Sequence, residues 1–189
     1  MRTARPTSTD LSPVSIRLEC EHVFVSDLDN PNLKGNVAEA MVAAQAIRLG
    51  VEVLKPLTEH ARYDLVLDVG SRLHRVQCKW APCRDEVIRV NLTGSRYTAR
   101  RRVQTTYSAD EVDLIGVYCE SVGRCYLIPI ELVAERRAVW LRLGAPRNGQ
   151  RACLNWAADY ELPGAIAQLG ERRAGSAKVV GSSPTSSTS

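Results

Sequence analysis

Residues 63–80 read YDLVLDVGSRLHRVQCKW, two alternating apolar segments joined by Gly70-Ser71. A Gly-led two-residue connection between such segments predicts a tight β-hairpin, and the hairpin fixes a register. With Gly70-Ser71 as the loop, Val69 faces Arg72, Asp68 faces Leu73, Val66 faces Arg75 and Asp64 falls opposite Gln77. Side chains alternate along a strand, so Gln77 and Lys79 share one face. Directly opposed residues have Cβ atoms about 4.5–5.5 Å apart, close enough for a carboxylate and an amide oxygen to share one hard cation. An acid, an oxygen ligand and an ammonium on a rigid hairpin make a workable set for hydrolysing a phosphodiester.

The rest of the chain supports a sheet around this hairpin. A strand is expected over residues 16–25, though its acids and His22 interrupt the pattern. Pro31-Asn32 reads as a turn into a helix over 35–49, closed by Gly50, with Val37, Ala40, Met41, Ala44 and Ile47 as its apolar stripe. Residues 51–54 and 87–92 read as strands, the second alternating Ile88, Val90 and Leu92 against Arg89 and Asn91. Residues 93–106 show no period of two and read as a loop running into a short helix. A second hairpin, 113–119 with 124–128, turns at Val122-Gly123, followed by a short helix at 130–135 and a strand at 138–143. This order predicts an α/β fold, a mixed sheet with helical cover.

At 189 residues the chain holds one main domain, assigned to 15–161, behind a Ser/Thr/Pro-rich disordered start at 1–14. Residues 162–189 end in Ser, Thr and Pro and read as a disordered tail. Val180–Pro184 and Ala167–Arg172 can be encoded by strings resembling the T-arm and D-arm of a tRNA gene, so the tail resembles a translated tRNA gene.

Six cysteines (Cys20, Cys78, Cys83, Cys119, Cys125, Cys153) invite a disulfide or zinc reading. Their spacings do not match a zinc knuckle, and His22, His60 and His74 are scattered. The first thirteen residues have no apolar centre of a signal peptide, and no apolar run approaches a membrane span. Free thiols and a soluble, cytoplasmic protein with no membrane partner are therefore expected. Net charge is only +4, but its distribution is uneven. From Arg84 to Arg102 there are six arginines against Asp85 and Glu86, and no acid lies between Asn91 and Ser108. Such a strip points to a polyanionic partner.

Each residue also has a plainer reading. Glu39, early in its helix and off the centre of its apolar stripe, suits a solvated acid favoured by the helix dipole. Asp68 shares the face of Asp64 but sits beside the turn, where capping explains it. Asp64 is harder to dismiss, because Asp is disfavoured in strands. Gln77 between Val76 and Cys78 is a polar group in a sheet interior that needs partners. Lys79 adds a charge that needs an anion. The hairpin register ties the last three together.

The order Glu39, Asp64, Gln77-Cys78-Lys79 resembles the PD-(D/E)xK nuclease superfamily, and most closely its branch of group I intron-associated homing endonucleases, in which Gln replaces the second acid. The matching phrases are KGNVAEA at 34–40, RYDLVLDVG at 62–70, RVQCKWA at 75–81 and YLIPIE at 126–131. Tyr63 departs from the wider pattern by standing where proline precedes the acid. The resemblance implies a restriction-endonuclease-like mixed β-sheet core flanked by helices. It implies Asp64 as central metal ligand, Gln77 supplying an amide oxygen, the Cys78 backbone carbonyl a further ligand, and Glu39 reaching the metal through water or holding a second ion. Lys79 would orient or deprotonate the attacking water, so Glu39, Asp64, Gln77 and Lys79 form the implied catalytic set. Hydrolysis needs a cation to neutralise the phosphorane and lower the pKa of bound water. Oxygen-only ligands favour Mg²⁺ or Mn²⁺.

The reading is a Mg²⁺-dependent, site-specific homing-type DNA endonuclease. Arg89, Asn91, Arg96, Tyr97, Arg100, Arg101 and Arg102, with Tyr107 following, would grip double-stranded DNA. One site per chain and two strands to cut imply a homo-oligomer, a dimer or tetramer. Two alternatives stand beside it: a junction-resolving or repair nuclease of the same fold, and a DNA-binding protein with a decayed site.

Overall fold

The Gly70-Ser71 turn forms as its residues require. The computed structural model describes residues 30–58, 60–97, 102–145 and 154–174; the expected segments at 1–14 and 16–25, together with Arg100 and Arg101, lie outside them. Gly70 and Ser71 adopt φ +59° and +63°, the left-handed pair that matches strand twist in a two-residue hairpin. They join β2 (Leu65–Val69) to β3 (Arg72–Trp80). The pairing runs Val69–Arg72, Asp68–Leu73, Val66–Arg75 and Leu65–Val76, the expected register.

This hairpin sits inside a five-stranded mixed sheet. The edge strand β1 (Glu52–Leu54) pairs antiparallel with β2. On its other side, β3 pairs parallel with β8 (Leu114–Cys119), and β8 pairs antiparallel with β9 (Arg124–Pro129). Leu65, Leu67, Val69, Val76 and Cys78 turn to one face, where they pack with Leu114, Leu127 and the helical layer. Ile115, Val117, Tyr126 and Ile128 turn to the other, against β5 (Val87–Asn91) and β10 (Ala138–Arg142). The strand β4 (Cys83–Arg84) completes that second sheet, in the order β10-β5-β4. The result is the restriction-endonuclease-like α/β core expected from sequence. Cys78, Cys83, Cys119 and Cys125 are free thiols. No helix among the described residues is long and apolar enough to cross a membrane.

Three elements differ from expectation. The helix α1 spans Pro31–Arg48, four residues earlier than expected. Asn30 is its N-cap, accepting a hydrogen bond from the Asn32 amide at 2.9 Å, and Pro31 takes the first helical position, where its missing N–H costs nothing. Its buried face is Ala38, Val42 and Ala46, all fully buried, whereas Met41 and Ile47 of the expected stripe are 38% and 60% exposed. Two apolar stripes run side by side on this helix, and the one with small residues faces inward because α1 lies close to the sheet. A Cβ on Gly116 of β8 would fall 2.9 Å from Val76 Cγ1 and 3.2 Å from Val42 Cγ1.

The described residues of the 93–106 stretch form no helix. They are β6 (Thr93–Tyr97) and β7 (Arg102–Thr106), an antiparallel pair that makes a sheet of its own. A ribbon of two strands need not bury one face, so an alternating apolar pattern was not required of it.

The third difference is at residue 162. The tail assigned to 162–189 begins instead with α2 (Leu162–Ala174). Leu162 is fully buried and Ala165 nearly so, with Ile166 and Leu169 packed against the same cluster. These four residues are spaced i, i+3, i+4, i+7, a helical stripe that the polar composition beyond it obscures. Residues 175–189 lie outside the described residues.

Candidate active site

The backbone at the open end of the β2–β3 hairpin brings the predicted residues together. Asp64 immediately precedes β2, and its amide donates to the Val76 carbonyl at 2.9 Å, extending the ladder by one residue. The parity that turns Leu65 inward turns Asp64 to the opposite face, with Gln77 and Lys79. Asp64 Oδ2 accepts from the Cys78 amide at 2.7 Å and from Gln77 Nε2 at 2.5 Å. Gln77 Nε2 also reaches the Cys78 carbonyl at 3.4 Å. A carboxylate oxygen and a backbone carbonyl thus converge on a single amide N–H group.

Glu39 comes from α1, the layer packed on the sheet's other face, yet it lines one cleft with Asp64. The cleft has a volume of about 430 Å³ and is bordered also by Asn36, Lys55, Ala61 and Tyr63. Lys55 Nζ pairs with Glu39 Oε2 at 2.8 Å, and Lys55 is 66% exposed. Burial pushes the Asp64 carboxyl up to about 6. The Cys78 amide opposes that rise, Glu39 adds to it, and the Lys79 and Lys55 ammonium groups pull the other way.

Lys79 lies on the same face, but its ammonium points to a different set of partners. Nζ donates to Tyr107 Oη at 2.8 Å and to the Thr93 carbonyl at 3.3 Å. Among the described residues no cluster of three His, Cys, Asp or Glu side chains could hold a metal. A cation here would therefore depend on Asp64, the Cys78 carbonyl and the Gln77 amide. These oxygens suit a hard divalent ion: the Gln77 N–H already stands between two of them, and exchanging the amide's N and O would present Oε1 instead.

Residues 29–163 match the PD-(D/E)XK endonuclease family. The chain belongs to that family. Among solved structures, this PD-(D/E)XK chain resembles "The structure of a bacterial homing endonuclease: I-Ssp6803I", with a TM-score of 0.60 and 25% identity over 78% of this chain and 98% of that one. No protein of curated function matches it.

The expected DNA-contacting residues divide between elements. Arg89 and Asn91 are exposed on β5, where Asn91 Oδ1 accepts from the Thr93 amide and hydroxyl. Arg96, Tyr97 and Arg102 are on the β6–β7 ribbon, and Arg100 and Arg101 lie outside the described residues. Tyr107 does not join them: it is 4% exposed and packed in the core. Sequence reasoning did not single out Lys55 or assign a role to Arg62. Arg62 binds Glu111 at 2.9 and 3.2 Å and also holds Thr105 Oγ1 and the Thr106 carbonyl, each at 3.1 Å. Neither residue belongs to a periodic motif; each acts through a partner far away in sequence.

Proposed function

We propose that this chain is a divalent-metal-dependent DNA endonuclease of the homing type, cutting at a specific sequence. The observation that carries the reading is the convergence of Asp64 Oδ2, the Cys78 backbone and the Gln77 amide at one point, with Lys79 on the same face. The likeness to a bacterial homing endonuclease supports the sequence-specific part. Asp64, Gln77 and the Cys78 carbonyl would hold a Mg²⁺ or Mn²⁺ ion, with Glu39 acting through water. When bound, that ion supplies charge neutralisation at the scissile phosphate and acidifies water.

The chain's own residues do the remainder. Asp64, with its carboxyl at about 6, is largely ionised at neutral pH and able to serve as an anionic ligand. Lys79 offers its ammonium N–H to the phosphate or to the attacking water. Lys55 neutralises Glu39 from an exposed position, so the pair opens readily toward solvent. The β6–β7 ribbon grips DNA: a two-stranded ribbon fits a major groove, and this one carries Arg96 and Arg102. Arg89 and Asn91 extend the contact on β5. A duplex cut on both strands implies a homo-oligomer, and the likeness to a bacterial enzyme makes the cytoplasm the expected site of action.

The test is end-mapping after incubation of purified protein with genomic DNA of the organism that carries its gene. New ends at one sequence, dependent on Mg²⁺ and absent with Asp64→Asn protein, are expected. Specific ends formed at full rate in EDTA contradict the metal requirement.

A further inference from the structure

Tyr107 follows β7 directly and is almost wholly buried, beside Leu92, Ile115 and Val117. Two cations lie near its ring: Lys79 Nζ and Arg62 Cζ are each 4.8 Å from its centroid. A ring face attracts one cation readily, but two near one ring repel unless a charge is balanced. Arg62 is balanced by Glu111, and it also binds the backbone and hydroxyl of the residues just before Tyr107. The phenol is thereby held in place from its strand.

Room for the hydroxyl comes from Gly94. A Cβ at that position would lie 2.6 Å from Tyr107 Oη and 3.3 Å from Arg62 Nη1. Tyr107 Oη and the Thr93 carbonyl then take two of the three N–H donors of Lys79. An ammonium's donors are tetrahedrally arranged, so fixing two sets the direction of the third. It also removes rotamer freedom from a long side chain before DNA arrives, and prior ordering of this kind favours reaction over mere binding.

We infer that Tyr107 is a positioning residue for Lys79, held by Arg62 and given clearance by Gly94, and that it sets where the lysine's remaining N–H points during cleavage. The inference rests on the proposed role of Lys79. Because Thr93 and Thr106 are also the paired ends of the β6–β7 ribbon, the same contacts tie the DNA-gripping ribbon to the lysine.

The experiment is single-turnover cleavage of a labelled duplex carrying the mapped genomic cut sequence, with Mg²⁺ and enzyme in excess. Tyr107→Phe keeps the ring and removes the acceptor. Its maximal rate should fall roughly 10-fold or more, on the order of the loss caused by small misplacements of reacting groups. Half-saturating enzyme concentration and melting temperature should stay at wild-type values. Gly94→Ala, whose Cβ would crowd the same hydroxyl, should lower the maximal rate at an unchanged half-saturating enzyme concentration, with a lowered melt from the overpacking, and serves if Tyr107→Phe does not fold. Lys79→Ala separates the two claims: if it cleaves normally, the reading of the site fails. If Lys79→Ala is inactive while Tyr107→Phe and Gly94→Ala cut at the wild-type rate, only the positioning role is overturned. For Tyr107→Phe, a rate loss matched by equal loss of DNA binding or by a lowered melt also overturns it, because Tyr107 would then act as ordinary core.

Discussion

Asp64 and Cys78, fourteen positions apart in sequence, are joined by a 2.7 Å hydrogen bond from the Cys78 amide to Asp64 Oδ2. The bond lets a two-residue turn aim a half-buried carboxylate at the end of a sheet. That carboxylate is poorly solvated and faces Glu39, and its proton affinity rises accordingly. The site therefore lowers the stability of the fold, and by an amount that depends on pH.

Asp64 ionises near 3.8 in an unfolded chain and at about 6 in the fold. Below 3.8 both states are protonated and nothing is lost. Between those values the folded state keeps a proton that the unfolded state has released, so stability falls as pH rises through the window, and the full penalty applies above 6. Asp64→Asn should therefore stabilise the metal-free protein by roughly 1–3 kcal/mol at pH 7.5 and by almost nothing near pH 3.5. Melts of the two proteins in EDTA across that range provide the check; a mutant less stable at pH 7.5 contradicts it.

Gly116 is where α1 comes down on the sheet. Gly116→Ala should cost about 1–3 kcal/mol by overpacking against Val76 and Val42. Val42→Ala in the same chain should recover part of that loss, because it removes one of the two clashing methyl groups. Urea unfolding of both proteins measures this, and additive losses would speak against the close approach.

The hairpin of the candidate site is legible in the sequence because a two-residue turn and a period of two together determine register, and that register holds pair by pair from Val69–Arg72 to Leu65–Val76. The α1 stripe is ambiguous there because Val37, Met41 and Ala44 repeat as well as Ala38, Val42 and Ala46 do. Only the close approach at Gly116 selects between them. The ribbon at 93–106 escaped notice because it forms a separate two-stranded sheet, and α2 because its four apolar residues precede a long polar run. The Glu39–Lys55 pair and the Tyr107–Lys79 bond join distant segments, and no local pattern encodes them.

Helix α2 is part of the fold. Leu162→Ala should destabilise the protein by about 2–4 kcal/mol, as expected for a fully buried leucine. Truncation after Glu161 should lower the melting temperature by more than about ten degrees, whereas truncation after Ala174 should shift it by no more than about three. Equal melts for full-length protein and the 161 truncation contradict the role of this helix.

Replacing Arg96, Arg100, Arg101 and Arg102 together with Gln should weaken DNA binding and flatten its salt dependence. Every arginine–phosphate pairing that the substitution removes reduces the slope of log K against log salt by about 0.9. Titrations over a range of salt concentrations measure it, and an unchanged slope moves the DNA-gripping surface away from the ribbon.

The most direct measurement for the site is cleavage of the mapped target duplex by wild-type, Asp64→Asn and Lys79→Ala proteins, in parallel with DNA affinity in Ca²⁺. The account predicts that both variants bind DNA within about threefold of wild type yet lose roughly three orders of magnitude or more in Mg²⁺-dependent rate, since these groups act on the transition state while the arginines supply binding. Cleavage by either variant within about tenfold of the wild-type rate would contradict the assignment of this hairpin as the catalytic centre.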